Sequence, residues 1–297
     1  MPTLLILLVL GGSPVATLAQ ETTGAKSLGF DLRADVGFHA VRFKESSSVF
    51  GPTVKSAWDS RGFAFNGEVA YTLARFPLHL QLGFLTFQSS TDTEETRVNG
   101  VLTQTQDLDE NFDLLTPAVG CVLRLGRGVR LTPLVGWEFQ WIKQTRENFV
   151  MQGIPLALTV TEDIDANGPL VGFRLAANLT ERLRVRLQYS HTFLTALEAE
   201  NSFAKEAGFG KFESDGDIDR VNVGLEYHIA KPVGLGFSYQ FLRNTRAESS
   251  VQTINGMAAV LPSAEHVFHA GFVRVTIRFR GIAQWCPWVS HASAGFR

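Results

Sequence analysis

Cysteine is scarce in this sequence, and long apolar runs are missing beyond its first residues. The two cysteines, Cys121 and Cys286, are spaced in a way that fits no zinc-binding or redox motif. After residue 10 no stretch approaches the roughly 20 apolar residues that a membrane-crossing helix needs. A membrane location would therefore require a β-barrel. The formal charge of −2 shows no basic excess, which argues against a nucleic-acid partner.

Glycine and phenylalanine are abundant instead, with 27 and 23 residues. This composition favours β-structure with tight turns and an aromatic exterior over a helical bundle. We expect no cofactor and no metal site, because no motif for either occurs.

The N-terminus resembles an export signal. Residues 4–10 are apolar, Gly11 and Pro14 break any helix, and residues 17–19 offer a small-residue cleavage site before Gln20. We predict a signal peptide over residues 1–19, although no Lys or Arg lies near Met1. The alternative is a buried strand or a membrane anchor, for which the run is too short.

Ten segments of the mature chain alternate between apolar and polar residues with a period of two. In the first, Phe30, Leu32 and Val36 alternate with Asp31, Arg33 and Asp35. Such alternation indicates strands with one apolar and one charged face. On so many strands, an apolar exterior and a charged interior favour a membrane barrel over a soluble, lipocalin-like one. We predict an all-β fold over residues 20–279, a ten-stranded antiparallel transmembrane up-and-down β-barrel.

The connections between these segments alternate in length. Four are tight turns, and five long polar connections cover residues 44–61, 88–112, 145–168, 194–217 and 245–266. Short turns at one end and long loops at the other are typical of outer-membrane barrels, so we expect both termini in the periplasm. Asn99-Gly100 and Asn255-Gly256 are hairpin signals inside long connections, which predicts that some strands extend past the membrane as β-ribbons.

The polar faces predict an arginine-rich network in the lumen. Its residues are Asp31, Arg33, Asp35, Glu68, Arg124, Arg130, Glu138, Arg174, Arg184, Arg186, Arg220, Glu226, Arg274 and Arg278. In a narrow ten-stranded barrel, such a network either fills the lumen with paired charges or lines a small anion-preferring pore.

The apolar faces predict aromatic girdles at the membrane surfaces. Phe30 and Phe38 are eight residues apart on one face, as are Phe63 and Tyr71, which corresponds to about 20 Å for a tilted strand. The girdle residues are Phe30, Phe38, Phe63, Tyr71, Trp137, Trp141, Tyr189, Tyr227 and Tyr239.

The layout of residues 27–279 resembles the omptins, the ten-stranded outer-membrane proteases, with scattered sequence likeness such as residues 111–114. The resemblance implies a catalytic Asp pair facing an Asp–His pair that activates water. Asp92 and Glu94 match the first pair, but Glu198 and Glu200 stand where the second would be. His191 lies earlier, within a strand, so we assign no catalytic residue.

The predicted loops are acidic and the predicted short turns are basic, with Arg75, Arg127, Arg182 and Lys231. Residues 280–297 continue past Phe279 as a tail of unclear status, whereas such barrels usually end on an aromatic residue. We expect a non-enzymatic surface barrel with a plugged lumen and acidic extracellular loops. The alternatives are a narrow anion-preferring pore and an omptin-like protease with a rearranged site. The expected partners are outer-membrane lipid, lipopolysaccharide and the barrel-assembly machinery.

Overall fold

The computed structural model describes residues 29–73, 77–89, 91–126, 128–230 and 232–280. The predicted signal peptide and residues 281–297 of the predicted tail lie outside the described residues. The same holds for three of the basic turn residues, Arg75, Arg127 and Lys231.

The described chain consists almost entirely of strands. These are β1 Gly29–Ser47, β2 Val54–Thr72, β3 Leu78–Ser89, β4 Asp92–Val98, β5 Val101–Cys121, β6 Leu123–Arg124, β7 Val129–Met151, β8 Ile154–Leu156, β9 Val160–Asn178, β10 Leu183–Asn201, β11 Phe212–His228, β12 Val233–Arg246, β13 Gln252–Ile254, β14 Met257–Ala259 and β15 Ser263–Arg280, with one helix, α1 Ser202–Glu206. In the part of the chain that the structure describes, no helix has the length and apolar character needed to cross a membrane.

Ten antiparallel strands close into a barrel, which confirms the predicted fold class. The order around the wall is β1, β2, β3 with β4, β5, β7, β9, β10, β11, β12 and β15. β3 and β4 act as one wall strand, because both pair with β2 on one side and with β5 on the other. Pairing of β1 with β15, from Gly29–Arg280 to Ser46–Ser263, closes the ring.

Most residues of the predicted long connections form β-strands instead. The first, expected over residues 44–61, is reduced to residues 48–53 between β1 and β2. The second contains a two-residue turn in which Asn99 and Gly100 have φ of 50° and 84°, as a type I′ hairpin requires. Asn255 and Gly256, with φ of 51° and 78°, form the same turn between β13 and β14. The two predicted hairpin turns are therefore confirmed, whereas the predicted extent of the loops is wrong.

The outward face changes character along each wall strand. In β1, Val36, Phe38 and Ala40 are exposed and apolar, whereas the outward positions beyond them are Arg42 and Lys44. We call the apolar part of the outer wall the apolar band, and the part beyond it, towards the long connections, the extension. In β12 the band ends at Phe241, and the next outward residue is Arg243.

The inward face changes in the opposite sense at the same height. In β1 the inward positions run from Arg33 and Asp35, through His39, to the fully buried Phe43. A wall that meets water rather than lipid can place its apolar residues inside, so the apolar and polar faces exchange sides above the band. This exchange made the predicted loops resemble irregular polar segments.

The apolar band predicts where a charge on the outer wall lowers the stability of the barrel. Val273 in β15 is 57% exposed and pairs with Val36 of β1, which is 58% exposed. Val273→Arg should lower the free energy of unfolding by about 2–4 kcal/mol, because the guanidinium would face hydrocarbon. Equilibrium unfolding in lipid vesicles measures this loss.

Asn111→Arg is the matched control, because Asn111 is exposed on the outward face of the extension. Its effect should stay within about 0.5 kcal/mol, as for most exposed positions. Equal effects of the two substitutions would contradict the position of the band.

Candidate functional site in the filled lumen

Arginines and carboxylates fill the half of the lumen nearest the short turns. Arg33 and Arg174, from β1 and β9, both pair with Glu68 of β2. Arg274 donates two hydrogen bonds, of 2.8 and 2.7 Å, to Asp35. Because these groups are almost fully buried, each pair offsets the loss of hydration that burial imposes on its members.

Two further carboxylates each collect several donors. Glu226 lies 3.1 Å from Arg186 and 2.6 Å from Arg278, and it also accepts a hydrogen bond from Thr276. Glu138 lies 3.2 Å from Arg220 and accepts hydrogen bonds of 3.0 Å from two threonine hydroxyls, Thr116 and Thr192. We call this half of the lumen the arginine layer.

Inward glycines make room for the long arginine side chains. A Cβ atom at Gly224 would lie 2.5 Å from Nη1 of Arg274, and one at Gly234 would lie 2.9 Å from Oε1 of Glu226. Substitution at either glycine would therefore displace a paired charge. A cavity of about 30 Å³ lies among Arg33, Glu68 and their neighbours, which is room for about two water molecules at most.

An apolar layer lies beyond the arginine layer. The ring of Phe87 stacks on Phe112 with centroids 4.6 Å apart and on Phe268 with centroids 4.8 Å apart. His39 contacts Phe87 and Phe268 and has no hydrogen-bond partner for either ring nitrogen in the described structure. The same cluster includes Leu85, Leu114, Ile142, Ile164, Leu194, Ile218, Leu242, Phe209 and Leu261.

A second ionic layer closes the lumen inside the extension. Arg146 lies 2.8 Å from Glu94 and 3.4 Å from Glu162, and Arg246 lies 2.7 Å from Glu45 and 3.2 Å from Glu162. All five groups are buried or nearly so. Glu45 lies beyond the apolar band. Burial raises the pKa of Glu45 to about 7, with Arg146 and Arg246 opposing the rise and Glu162 and Glu94 adding to it.

The residues of the predicted lumen network fall into two groups. Twelve are on the inward face and at least partly buried, namely Asp31, Arg33, Asp35, Glu68, Glu138, Arg174, Arg184, Arg186, Arg220, Glu226, Arg274 and Arg278. The other two, Arg124 and Arg130, are exposed at the short-turn end, where the register of Arg130 opposite buried Ala176 also gives it the inward side. The sequence prediction missed the whole ionic layer of the extension. The sequence feature that could have revealed this layer is the exchange of apolar and polar positions partway along each strand.

The predicted girdle residues lie on the outward face of the wall. The strand register sets Phe30 opposite Tyr71 and Phe38 opposite Phe63, and the rings of Phe38 and Phe63 have centroids 4.7 Å apart. The same face carries the other five predicted girdle residues, Trp137, Trp141, Tyr189, Tyr227 and Tyr239. Four of these five make polar contacts. Tyr189 donates to Asp219 and Trp137 to Asn167, while Tyr227 accepts from Arg182 and Tyr239 shares a hydrogen bond with His269.

The four carboxylates matched to the omptin site do not face a common space. Glu94 points inward and is held by Arg146, whereas Asp92 is exposed. Glu198 and Glu200 are on the outside of β10 and pair with Lys211 at 2.7 Å and Lys205 at 2.5 Å. His191 is also outward, 2.9 Å from Asp219. The described residues therefore do not assemble the arrangement that the resemblance implies.

The pairing in the arginine layer predicts a large cost for removing one carboxylate. Glu68→Gln should destabilise the barrel by about 3–5 kcal/mol, because it leaves Arg33 and Arg174 buried without their partner. Unfolding by urea in lipid vesicles measures the change.

Asp59→Asn provides the control, since the Arg42–Asp59 pair is exposed on both sides. It should cost about 1 kcal/mol or less. If both variants lost the same stability, the lumen pairs would not hold the barrel together.

Comparisons with known proteins agree with this architecture. The chain matches the family described as Outer membrane protein beta-barrel domain over residues 5–210. No curated protein sequence matches the chain at a significant level.

The solved structures that match the chain are distant from it in sequence. The outer membrane protease OmpT from Escherichia coli is similar with a TM-score of 0.64 and 11% identity, covering 87% of this chain and 99% of that chain. A major outer membrane protein from Thermus thermophilus has a TM-score of 0.39 and 13% identity, covering 85% and 99%. Ail, the attachment invasion locus protein of Yersinia pestis, has a TM-score of 0.28 and 11% identity, covering 84% and 98%.

At such identities a structural likeness concerns the fold alone. The family match, in contrast, spans more than half of the chain, and the ten closed strands agree with it. The chain belongs to the Outer membrane protein beta-barrel domain family, and its location is the bacterial outer membrane.

Proposed function

We propose that this protein is a closed, non-enzymatic barrel that displays a rigid acidic surface outside the cell. The observation that carries the proposal is the filling of the lumen by two ionic layers with an apolar layer between them. Rings stacked at 4.6 and 4.8 Å at the level of Phe87 leave no room for hydrated ions to pass. No arrangement of the described residues favours a pore or a protease over this function.

The orientation follows from the two ends of the barrel. The extension, with its polar outer wall, faces the outside of the cell, and the short turns and both termini face the periplasm. Arg182, exposed on a short turn, lies on the periplasmic side in this arrangement.

The outer wall of the extension is acidic over the strands from β5 to β11. Its carboxylates are Asp107, Asp109, Asp113, Glu147, Asp163, Asp165, Glu198, Glu200, Glu213, Asp215, Asp217 and Asp219, against the lysines Lys143, Lys205 and Lys211. Such a surface attracts cations and basic segments of other proteins. Since strands rather than flexible loops carry these charges, little order has to be gained on binding.

The opposite wall carries charges of both signs just above the apolar band. A groove of about 690 Å³ lies there, lined by three basic and three acidic residues, namely Arg42, Lys44, Arg61, Asp59, Asp92 and Glu265. At this height the groove would meet lipopolysaccharide headgroups, while the band itself contacts lipid chains. Phe279, near the end of β15, is the aromatic that the assembly machinery would read.

Conductance distinguishes the closed barrel from a pore. Wild-type protein in planar bilayers should show no steady openings, because side chains fill the lumen at three levels. Replacing Phe87, Phe112 and Phe268 together by Ala should produce intermittent currents, since it removes the stacked rings of the apolar layer.

The matched control replaces three exposed outward rings, Phe38, Phe63 and Phe237, by Ala and should stay silent. Steady openings of the wild type would overturn the closed-barrel function. Cleavage of peptides by the wild type would instead favour the protease alternative.

Binding of a basic peptide tests the acidic surface. Octalysine should bind the refolded protein in a salt-dependent manner. Changing Asp163, Asp165 and Asp215 to Asn and Glu213 to Gln should weaken binding about tenfold, because each exposed charge pair contributes roughly 0.2–1 kcal/mol. Asp59→Asn on the opposite wall is the control. Unchanged binding by the fourfold variant would show that this surface does not attract basic partners.

A further inference from the structure

The arginine layer carries more positive than negative charge at the short-turn end of the lumen. Arg184, Arg186 and Arg278 lie there on the inward face, with Arg130 exposed beside them. The carboxylates at this level are Glu226 and Asp31. Glu226 is engaged by Arg186 and Arg278 together, and Asp31 lies 3.6 Å from Arg278. Both carboxylates are therefore already used by other arginines.

Arg184 has no ion-pair partner among the described residues. It is only 8% exposed, and its buried Nε atom forms no hydrogen bond with a described residue. Glu226 lies directly opposite Arg184 across the strands, but no ion pair joins the two side chains. Arg278 and Arg130 repel the guanidinium of Arg184, whereas Glu226 and Asp31 attract it.

Arg186 also has hydrogen-bonding capacity to spare. It is 5% exposed and lies 3.1 Å from Glu226, yet neither Nη1 nor Nη2 forms a hydrogen bond of acceptable geometry with a described residue. Two neighbouring inward positions of β10 thus present buried guanidinium donors for which the described residues supply no acceptor. A buried donor without an acceptor costs about 1–3 kcal/mol, and more when the group is charged.

We propose that these arginines form a binding site for an oxyanion of the phosphate class at the short-turn end of the lumen. Guanidinium groups match the oxygens of a phosphate group with paired hydrogen bonds. An anion there would accept the spare donors of Arg184 and Arg186 and would offset the surplus charge. The site is distinct from the acidic surface of the extension and lies at the other end of the barrel.

The site is blind-ended. Beyond it lie the pairs of Glu68 with Arg33 and Arg174, and then the apolar layer. The cavity among these pairs has a volume of about 30 Å³, which is too small for a phosphate. An anion therefore binds at the mouth and does not pass through, so the site does not require a conducting barrel.

Titration with inorganic phosphate tests the proposal. The protein is refolded in a nonionic, phosphate-free detergent, and phosphate binding is followed by 31P NMR and by the midpoint of thermal unfolding. The wild type should bind phosphate saturably, and sodium chloride at equal ionic strength should not reproduce the shift in midpoint. Arg184→Gln should weaken binding about tenfold or more, because it removes a charged donor. Arg184→Lys should be intermediate, since it keeps the charge and loses the paired geometry.

Arg182→Gln is the matched control, because Arg182 is exposed on the adjacent turn and contacts Tyr227. Its phosphate affinity should stay within about twofold of the wild type. Without phosphate, Arg184→Gln should unfold at the same temperature as the wild type or higher, because it removes an unpaired buried charge. Absence of saturable binding, an equal effect of chloride, or wild-type affinity in Arg184→Gln would each overturn the site.

Discussion

A charged side chain that leaves water for a barrel interior loses hydration worth several kcal/mol, and an opposite charge nearby is what offsets the loss. The pairs in this lumen join strands that are far apart in sequence. Arg174 meets Glu68 across 106 residues, and Arg274 meets Asp35 across 239. A one-residue shift of register on any of these strands would turn the inward face of that strand outwards and leave buried charges without partners. The ion pairs therefore favour one register of the closed ring.

The second constraint is the change of solvent along the outer wall. Within the apolar band the wall meets lipid, and above the band it meets water. The strands pass from one environment to the other without interruption, as in β1, where outward Phe38 and Ala40 are followed by outward Arg42. The inward face compensates with Val41 and Phe43. The extension thus has an apolar core like that of a water-soluble barrel, and this core holds the acidic wall in place.

Charge is also separated along the barrel axis. The ionic layer of the extension has three carboxylates, Glu45, Glu94 and Glu162, around two arginines, Arg146 and Arg246. The short-turn end has the opposite imbalance, with Arg184 unpartnered in the described structure. The acidic surface and the oxyanion site that we propose are consequences of this separation at the two ends of one closed lumen.

The period-two alternation determined the fold class, the number of wall strands and the outward position of the aromatics. In a membrane, a strand with one apolar face turns that face to lipid and its polar face to the barrel interior. The Asn-Gly pairs determined two hairpins, since both residues accept positive φ. The hairpin at Gln152-Gly153, with φ of 50° and 82°, carried no such signal. The tertiary structure alone decided which charges pair. Arg146 and Glu94 sat in segments that looked like solvated loops, and only closure of the ring and its tilt bring them to the same height inside the barrel. Alternation determines the face on which a side chain lies, whereas its partner depends on strands distant in sequence.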